Sequence, residues 1–452
     1  MRTSLRHAIV PGYLLLCLLL GGASAAGYWA NLALQLLALP IIFAAMTARG
    51  RPATPAGVRQ GDILLLLVLL LIALQLVPLP PFLWTHLPGR GAVAAGYALI
   101  GRPLPWLPLS LEPYATVSSA LWLLPAVAVY LAATRLGGFR SGWTAWAIVG
   151  VTVAGVTLGA LQVGGSNGFY FYRITNFGKA VGFFANSNHM GMLMVTAVPF
   201  LAALFFDARR KGRSLRRTSA FAMMLAGALG IILVGLAINR SRAGIGLAVP
   251  VAAITLLALG SSSRRRNALV GLGSAALMVA ALGAIFLAPV NGDVAAATHA
   301  TAGSRAFFLQ TTMRAVHDVF PAGSGIGTFQ PLYRTYEDPA LTDRLYTNHA
   351  HDDYLELLLE TGIPGMLLVL LFLGWFVART MAVWRSDEND YFARAASVAA
   401  AAMLAHSLVD YPLRTAAMSA FFAFCIAVLA GARPYARPSR KREDGGLRHV
   451  EA

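Results

Sequence analysis

Long, unbroken apolar runs separated by short polar breaks fill almost the whole chain. The runs do not alternate residue by residue, and they are rich in Leu and Ala, so they predict helices rather than strands. Several reach the ~20 residues a helix needs to cross a bilayer. Lipid offers the backbone no hydrogen-bond partners, which restricts spanning segments to helices or closed barrels. The pattern predicts about 12 transmembrane helices, over residues 8–26, 29–48, 62–80, 115–134, 143–163, 189–206, 218–238, 243–260, 268–289, 362–382, 395–411 and 416–432. The expected fold is an all-α integral membrane protein. Residues 1–432 form one polytopic domain, and 433–452 form a basic cytoplasmic tail. No soluble domain and no repeat of convincing period stands out.

Composition agrees. Of 452 residues, 57% are hydrophobic and only 12% charged, against about 25% charged in soluble domains. The net charge of +17 would raise nucleic acid as a partner for a soluble protein. Here the basic residues mark cytoplasmic loops instead. With the N-terminus inside, the cytoplasmic segments hold 25 of the 36 Lys and Arg residues, leaving 11 outside. Both termini are therefore expected in the cytoplasm. Cys17 and Cys425 lie in apolar runs and suggest neither a disulfide nor a metal site. Arg2, Arg6, an apolar run and the small residues 21–25 resemble a secretory signal. An uncleaved first helix is favoured because a second apolar segment follows at once.

Three outer segments are too long to be mere turns. Residues 81–114 carry Trp84, Trp106 and several prolines, which suggests a stretch lying along the membrane interface. Residues 164–188 carry Arg173, Lys179 and Asn186. The longest, the loop 290–361 between the ninth and tenth spans, opens with a helix over 305–319. The glycines of Gly323-Ser-Gly-Ile-Gly-Thr-Phe329 then break it.

That loop ends in the densest polar cluster of the chain. His349, His351, Asp352, Asp353, Glu356 and Glu360 fall within twelve residues, immediately before an apolar run. His349 and His351 could ligate zinc with Asp352 or Asp353, but the His-Glu-x-x-His spacing is missing. Alternatively one histidine is a general base. The aspartates suit helix capping, and Glu356 and Glu360 share one helical face directed inward. Gly362 and Pro364 mark a kink. Outer arginines are not explained by topology. Arg240 and Arg242 sit in a short hairpin between two spans, where charge is costly and usually functional. With Arg173, Lys179, Arg305 and Arg314 they form a cationic set suited to phosphate. His406 and Asp410 are four apart, as a structural hydrogen bond or a support for the centre.

These residues resemble the bacterial O-antigen ligase and polymerase superfamily of membrane glycosyltransferases. The resemblance rests on Gly182-Phe-Phe-Ala-Asn-Ser-Asn-His189, Ser241-Arg-Ala-Gly244, Gly323-Ser-Gly-Ile-Gly-Thr-Phe329, His349-Ala-His-Asp-Asp-Tyr-Leu-Glu356 with Glu360-Thr-Gly-Ile-Pro-Gly365, and Asp410-Tyr-Pro412. It spans about 180–415. It implies a GT-C-like bundle with a large periplasmic loop. It also implies a metal-independent, inverting transfer without cofactor, from an undecaprenyl-diphosphate-linked oligosaccharide to a hydroxyl of a glycan or lipid A core. Carried over, Arg242 binds the diphosphate and His351 is the base or acceptor-orienting group. Arg305, Lys179, Arg173, Arg240 and Asn186 make up the substrate-binding set. His349, Asp352, Asp353, Tyr354, Glu356 and Asp410 support it. Asp352 stands where the family usually has asparagine, and Lys179 where it often has arginine. The implied place is the bacterial inner membrane, with the active site facing the periplasm.

Exopolysaccharide-like details tilt the reading to a polymerase of repeat units over a ligase. A transporter or flippase would carry polar clusters and broken helices at mid-membrane, whereas the clusters here lie at the outer edge. An intramembrane metalloprotease would need the histidines to hold zinc.

Overall fold

The computed structural model describes residues 2–432, except 25–26, 49–53, 137–141, 166, 212–214, 288–304, 338, 340–346 and 387–388. The expected basic tail lies outside the described residues. The chain folds into α1 (Arg2–Leu20), α2 (Tyr28–Thr47), α3 (Ala56–Gln75), α4 (Pro81–Trp84), α5 (Gly91–Leu99), α6 (Pro113–Trp122), α7 (Leu124–Arg135), α8 (Gly142–Gly164) and α9 (Ser187–Arg210). Then come α10 (Leu215–Asn239), α11 (Arg242–Leu257), α12 (Arg264–Leu287), α13 (Arg305–Val319), α14 (Phe329–Arg334), α15 (Asp353–Arg385), α16 (Tyr391–His406) and α17 (Ala416–Gly431). Two short strands, β1 (Pro78–Leu79) and β2 (Leu107–Pro108), pair antiparallel.

Among the described residues, eight helices are long and apolar enough to cross a membrane. His7–Leu20, α11 and α17 are shorter apolar helices. Each of the twelve expected spans overlaps a helix, but length and composition support the coarser statement of a multi-pass helical membrane protein. The helices differ sharply in burial. Of the apolar window of α9, 78% is buried inside the protein, against 17% for α12 and 11% for α15. The outer helices display apolar side chains such as Leu66, Leu233, Val234 and Leu370. An apolar surface of that extent suits lipid rather than water.

The interior is built from small side chains. Ala395, Ala396, Ala399, Ala400 and Ala402 of α16 are buried, as are Ala416, Ala417, Ala420 and Ala427 of α17. Small residues let helix backbones approach closely where no hydrophobic effect drives helices together. α16 packs on α9, and α17 packs on α7. A second core caps one end of the bundle, where Ala315, Val316 and Val319 of α13 and Phe329 and Tyr333 of α14 pack with Leu355 and Leu359.

α15 breaks at Gly362, whose φ of 56° and ψ of −148° are not helical. The break would orphan backbone groups, and the glycine-rich turn satisfies them. Ser324 and Gly325 donate their amides to the carbonyls of Leu359 and Glu360, at 3.0 and 2.8 Å, and Ile363 donates to Pro321 at 3.0 Å. Gln75 of α3 bridges the same junction, donating to the Glu360 carbonyl at 3.0 Å and accepting from the Ile326 amide at 2.9 Å. The 81–114 segment is tied in as well. Leu111 donates to the Ser324 carbonyl, and Thr116 donates to that of Ile326. Trp84 is fully buried, with its indole on the Pro105 carbonyl. Trp84 is thus held inside the protein, while Trp106 is exposed.

Candidate active site

Four segments meet at the capped end of the bundle: the N-termini of α9 and α11, residues 347–360, and the turn 407–415 between α16 and α17. The N-termini of α9 and α11 are joined by side chains. Asn186 caps α9 by accepting from the Asn188 amide at 2.8 Å. Ser241 caps α11 through the Gly244 amide at 3.0 Å and donates to the Asn188 side chain at 2.8 Å. Asn239 is fully buried beneath them. Its amide donates to the carbonyls of Ala180 and Ser187, and its oxygen accepts from the Ser241 amide. Gly191 lets the pair close, since a Cβ there would lie 3.0 Å from the Ser241 Cβ. Arg242 is the first residue of α11 and is exposed. Helix N-termini favour anions, so an arginine on such a pair is well placed for phosphate.

Residues 347–356 fold around Glu356. Its Oε1 accepts from Nδ1 of His349 at 2.9 Å, and its Oε2 accepts from the Ala350 amide at 2.8 Å. His351 has a φ of 56°, in the left-handed region that non-glycine residues rarely adopt. Its Nδ1 lies 3.0 Å from the His349 carbonyl. A carbonyl only accepts, so Nδ1 carries the proton and the lone pair of the neutral ring sits on Nε2. The ring stacks on Phe308 at 4.9 Å. Asp352 caps α15, accepting from the Tyr354 and Leu355 amides, and burial pushes its carboxyl pKa up. Asp353 was expected to share the capping. Instead it accepts from the Ser407 hydroxyl at 2.7 Å and pairs with Arg414. Tyr354 donates to the Leu404 carbonyl at 3.0 Å.

The turn 407–415 supplies two residues to which the sequence pattern assigned no role of their own. Tyr411 stands among three imidazoles, with ring centroids 4.4 Å from His349, 5.0 Å from His351 and 5.2 Å from His189. Burial, with Asp410 beside it, pushes its hydroxyl pKa up, so it remains a donor. Arg414 meets three carboxylates: Glu360 at 3.0 Å, Glu356 at 3.1 Å and Asp353 at 3.4 Å. Burial alone would pull its pKa down, but these carboxylates hold it above the ordinary arginine value. Arg414 is an arginine in a short break between two apolar runs, the same signal that singled out Arg242. His406 and Asp410 are fully buried and 3.8 Å apart. α16 ends at His406, so they span a turn rather than one helical face.

The structure thus brings together His349, His351, Asp353, Glu356 and Asp410 around Tyr411 and Arg414, with Asn186 and Arg242 at the adjoining helix N-termini. Arg173 and Lys179 are exposed on the 165–186 loop, and Arg240 is exposed with a φ of 56°. The Arg305 side chain lies outside the described positions, although its backbone begins α13, one turn before Phe308.

No curated protein matches the chain. Residues 227–370 match the family model described as O-Antigen ligase. That region runs from α10 to the middle of α15 and contains Arg242, the glycine-rich turn and the His349–Glu356 cluster. Over those residues the chain is similar to the O-antigen ligase family, which supports a relationship to the O-antigen ligase/polymerase superfamily.

Proposed function

We propose that the protein is a membrane glycosyltransferase of the inner membrane. It moves a glycan from undecaprenyl diphosphate to an acceptor hydroxyl at the periplasmic face, and it joins repeat units of O-antigen or exopolysaccharide. The observation that carries the reading is the His351 imidazole, whose Nδ1 bond to the His349 carbonyl leaves Nε2 as the proton acceptor. The acceptor oxygen bonds to the anomeric carbon as its proton passes to Nε2, and the bond from that carbon to the diphosphate oxygen breaks. Attack from the opposite face inverts the centre. Charge grows on the leaving diphosphate, and a fixed arginine stabilises it without reorganisation. Arg242 has that role, and the N-termini of α9 and α11 add to it.

The orientation has independent support. Arg379 binds the carbonyls that end α17, and Arg394 binds those of Leu259 and Ser261, all at the end of the bundle away from the His349–Glu356 cluster. Clustered arginine at that end fits a cytoplasmic face.

His351→Ala and Arg242→Ala are each expected to abolish glycan transfer while the protein still accumulates in the membrane. Normal polymer in cells carrying either variant would sink the reading. A deletion strain separates polymerase from ligase, the alternative that the description of the matching family favours. Loss of long-chain polymer with single repeats still attached supports the polymerase. Lipid-linked polymer that accumulates without reaching lipid A core or protein supports the ligase.

A further inference from the structure

We infer that Glu356 and Arg414 are positioning residues for the His351 imidazole, acting through the main chain of His349 and Ala350. The inference rests on the reading of His351 as the group that meets the acceptor hydroxyl.

Glu356 is completely buried, and both its oxygens are engaged. One holds the His349 ring and the other holds the next amide, that of Ala350. The carboxylate therefore grips the peptide between them from both ends. That peptide contains the His349 carbonyl, the acceptor that fixes Nδ1 of His351. His351 itself sits at a costly φ of 56°, and such a conformation persists only where its surroundings over-determine it. On its C-terminal side the surroundings are the Asp352 cap and the Asp353 amide, which donates to the Ser407 carbonyl at 2.8 Å. On its N-terminal side they include the Glu356 contacts with His349 and Ala350.

A lone buried carboxylate is expensive to keep charged. Arg414 meets that cost from another segment, 3.1 Å away. The arginine comes from the turn between α16 and α17, so the grip on residues 349–350 forms only when that turn is docked. Neither residue needs to touch substrate for this role. A ring displaced by about 1 Å typically loses about 100-fold in rate.

The test uses full-length protein in detergent, with ¹⁵N-labelled histidine and signals assigned through His349→Gln and His351→Gln. Wild type is expected to hold both rings in the Nδ1–H form at neutral pH. In Glu356→Gln, His351 is expected to populate both tautomers. Its kcat falls about 100-fold with KM for the lipid-linked donor little changed, and the pH–rate profile shifts with the tautomer. Glu360→Gln keeps every Glu356 contact, and it is expected to keep the wild-type tautomer and to lose less rate. Wild-type tautomers and kcat in Glu356→Gln would overturn the inference. So would an Nε2–H form of His351 in wild type, which needs no variant to fold. Absence of any transfer by wild type would refute the functional reading, while the tautomers would still decide the positioning role.

Discussion

Arg414 donates to Glu360 across 3.0 Å, and the glutamate is fully buried. The other Glu360 oxygen accepts from the Gly327 amide at 2.8 Å. One carboxylate thus ties the turn after α16 to the glycine-rich turn after α13, and the same arginine also meets Glu356 and Asp353. Removing one partner of a buried ion pair typically costs about 3–5 kcal/mol, because the other charge stays buried and unpaired. Arg414→Met leaves three carboxylates without their cation. It is expected to lower the thermal midpoint in detergent more than Glu360→Gln, which leaves two carboxylates against the arginine. Equal midpoints for the two variants would show that the guanidinium is not the hub.

The kink in α15 gives a second prediction. Gly362 has a φ of 56°, and a Cβ there would collide with the Pro321 carbonyl oxygen. Gly374, in the same helix, has open space around its Cβ position. Alanine at a left-handed position costs about 1–2 kcal/mol before any clash, whereas alanine in a helix interior gains up to about 1 kcal/mol over glycine. Gly362→Ala is expected to lower the thermal midpoint clearly and Gly374→Ala to leave it unchanged or raised. A Gly362→Ala protein as stable as wild type would mean that the turn 321–325 does not clasp the break.

These two glycines also mark what the sequence could and could not disclose. The apolar runs located the helices, because a bilayer imposes length and helicity together. The kink at Gly362 and the inward face of Glu356 and Glu360 were legible from local spacing. The partners of those glutamates were not, because Arg414 is 54 positions from Glu360 in sequence. Tyr411 was legible only as the middle of Asp410-Tyr-Pro412, and its place among three imidazoles depends on where α16 ends. The aspartates illustrate a different limit. Asp352 and Asp353 are equally good caps in sequence, and only the docked Ser407 hydroxyl separates the capping residue from the ion-paired one.

The hinge before α11 yields a third prediction. Asn239 holds the carbonyls of Ala180 and Ser187 and the amide of Ser241, and it is fully buried. Asn239→Ala leaves those groups unsatisfied, at about 1–3 kcal/mol each where buried. It also frees the backbone that aims Arg242. The variant is expected to accumulate at a reduced level and to lose more transfer activity per molecule than its level explains. Asn239→Asp keeps the acceptor for the Ser241 amide but not the two donors, so it should fall between alanine and wild type. Activity per molecule equal to wild type in Asn239→Ala would detach the hinge from the role of Arg242.

The last prediction sets stability against activity at His351. The residue sits at a φ of 56° and stacks on Phe308. Glycine relieves the left-handed backbone, worth about 1–2 kcal/mol relative to an L-residue. Alanine does not, and both remove the ring and its stacking. His351→Gly and His351→Ala are therefore expected to be equally inactive in glycan transfer, with the glycine variant the more stable in thermal unfolding. If the alanine variant were as stable as the glycine variant, the left-handed turn would carry no strain. Its over-determination by Glu356, Asp352 and Ser407 would then need another reason.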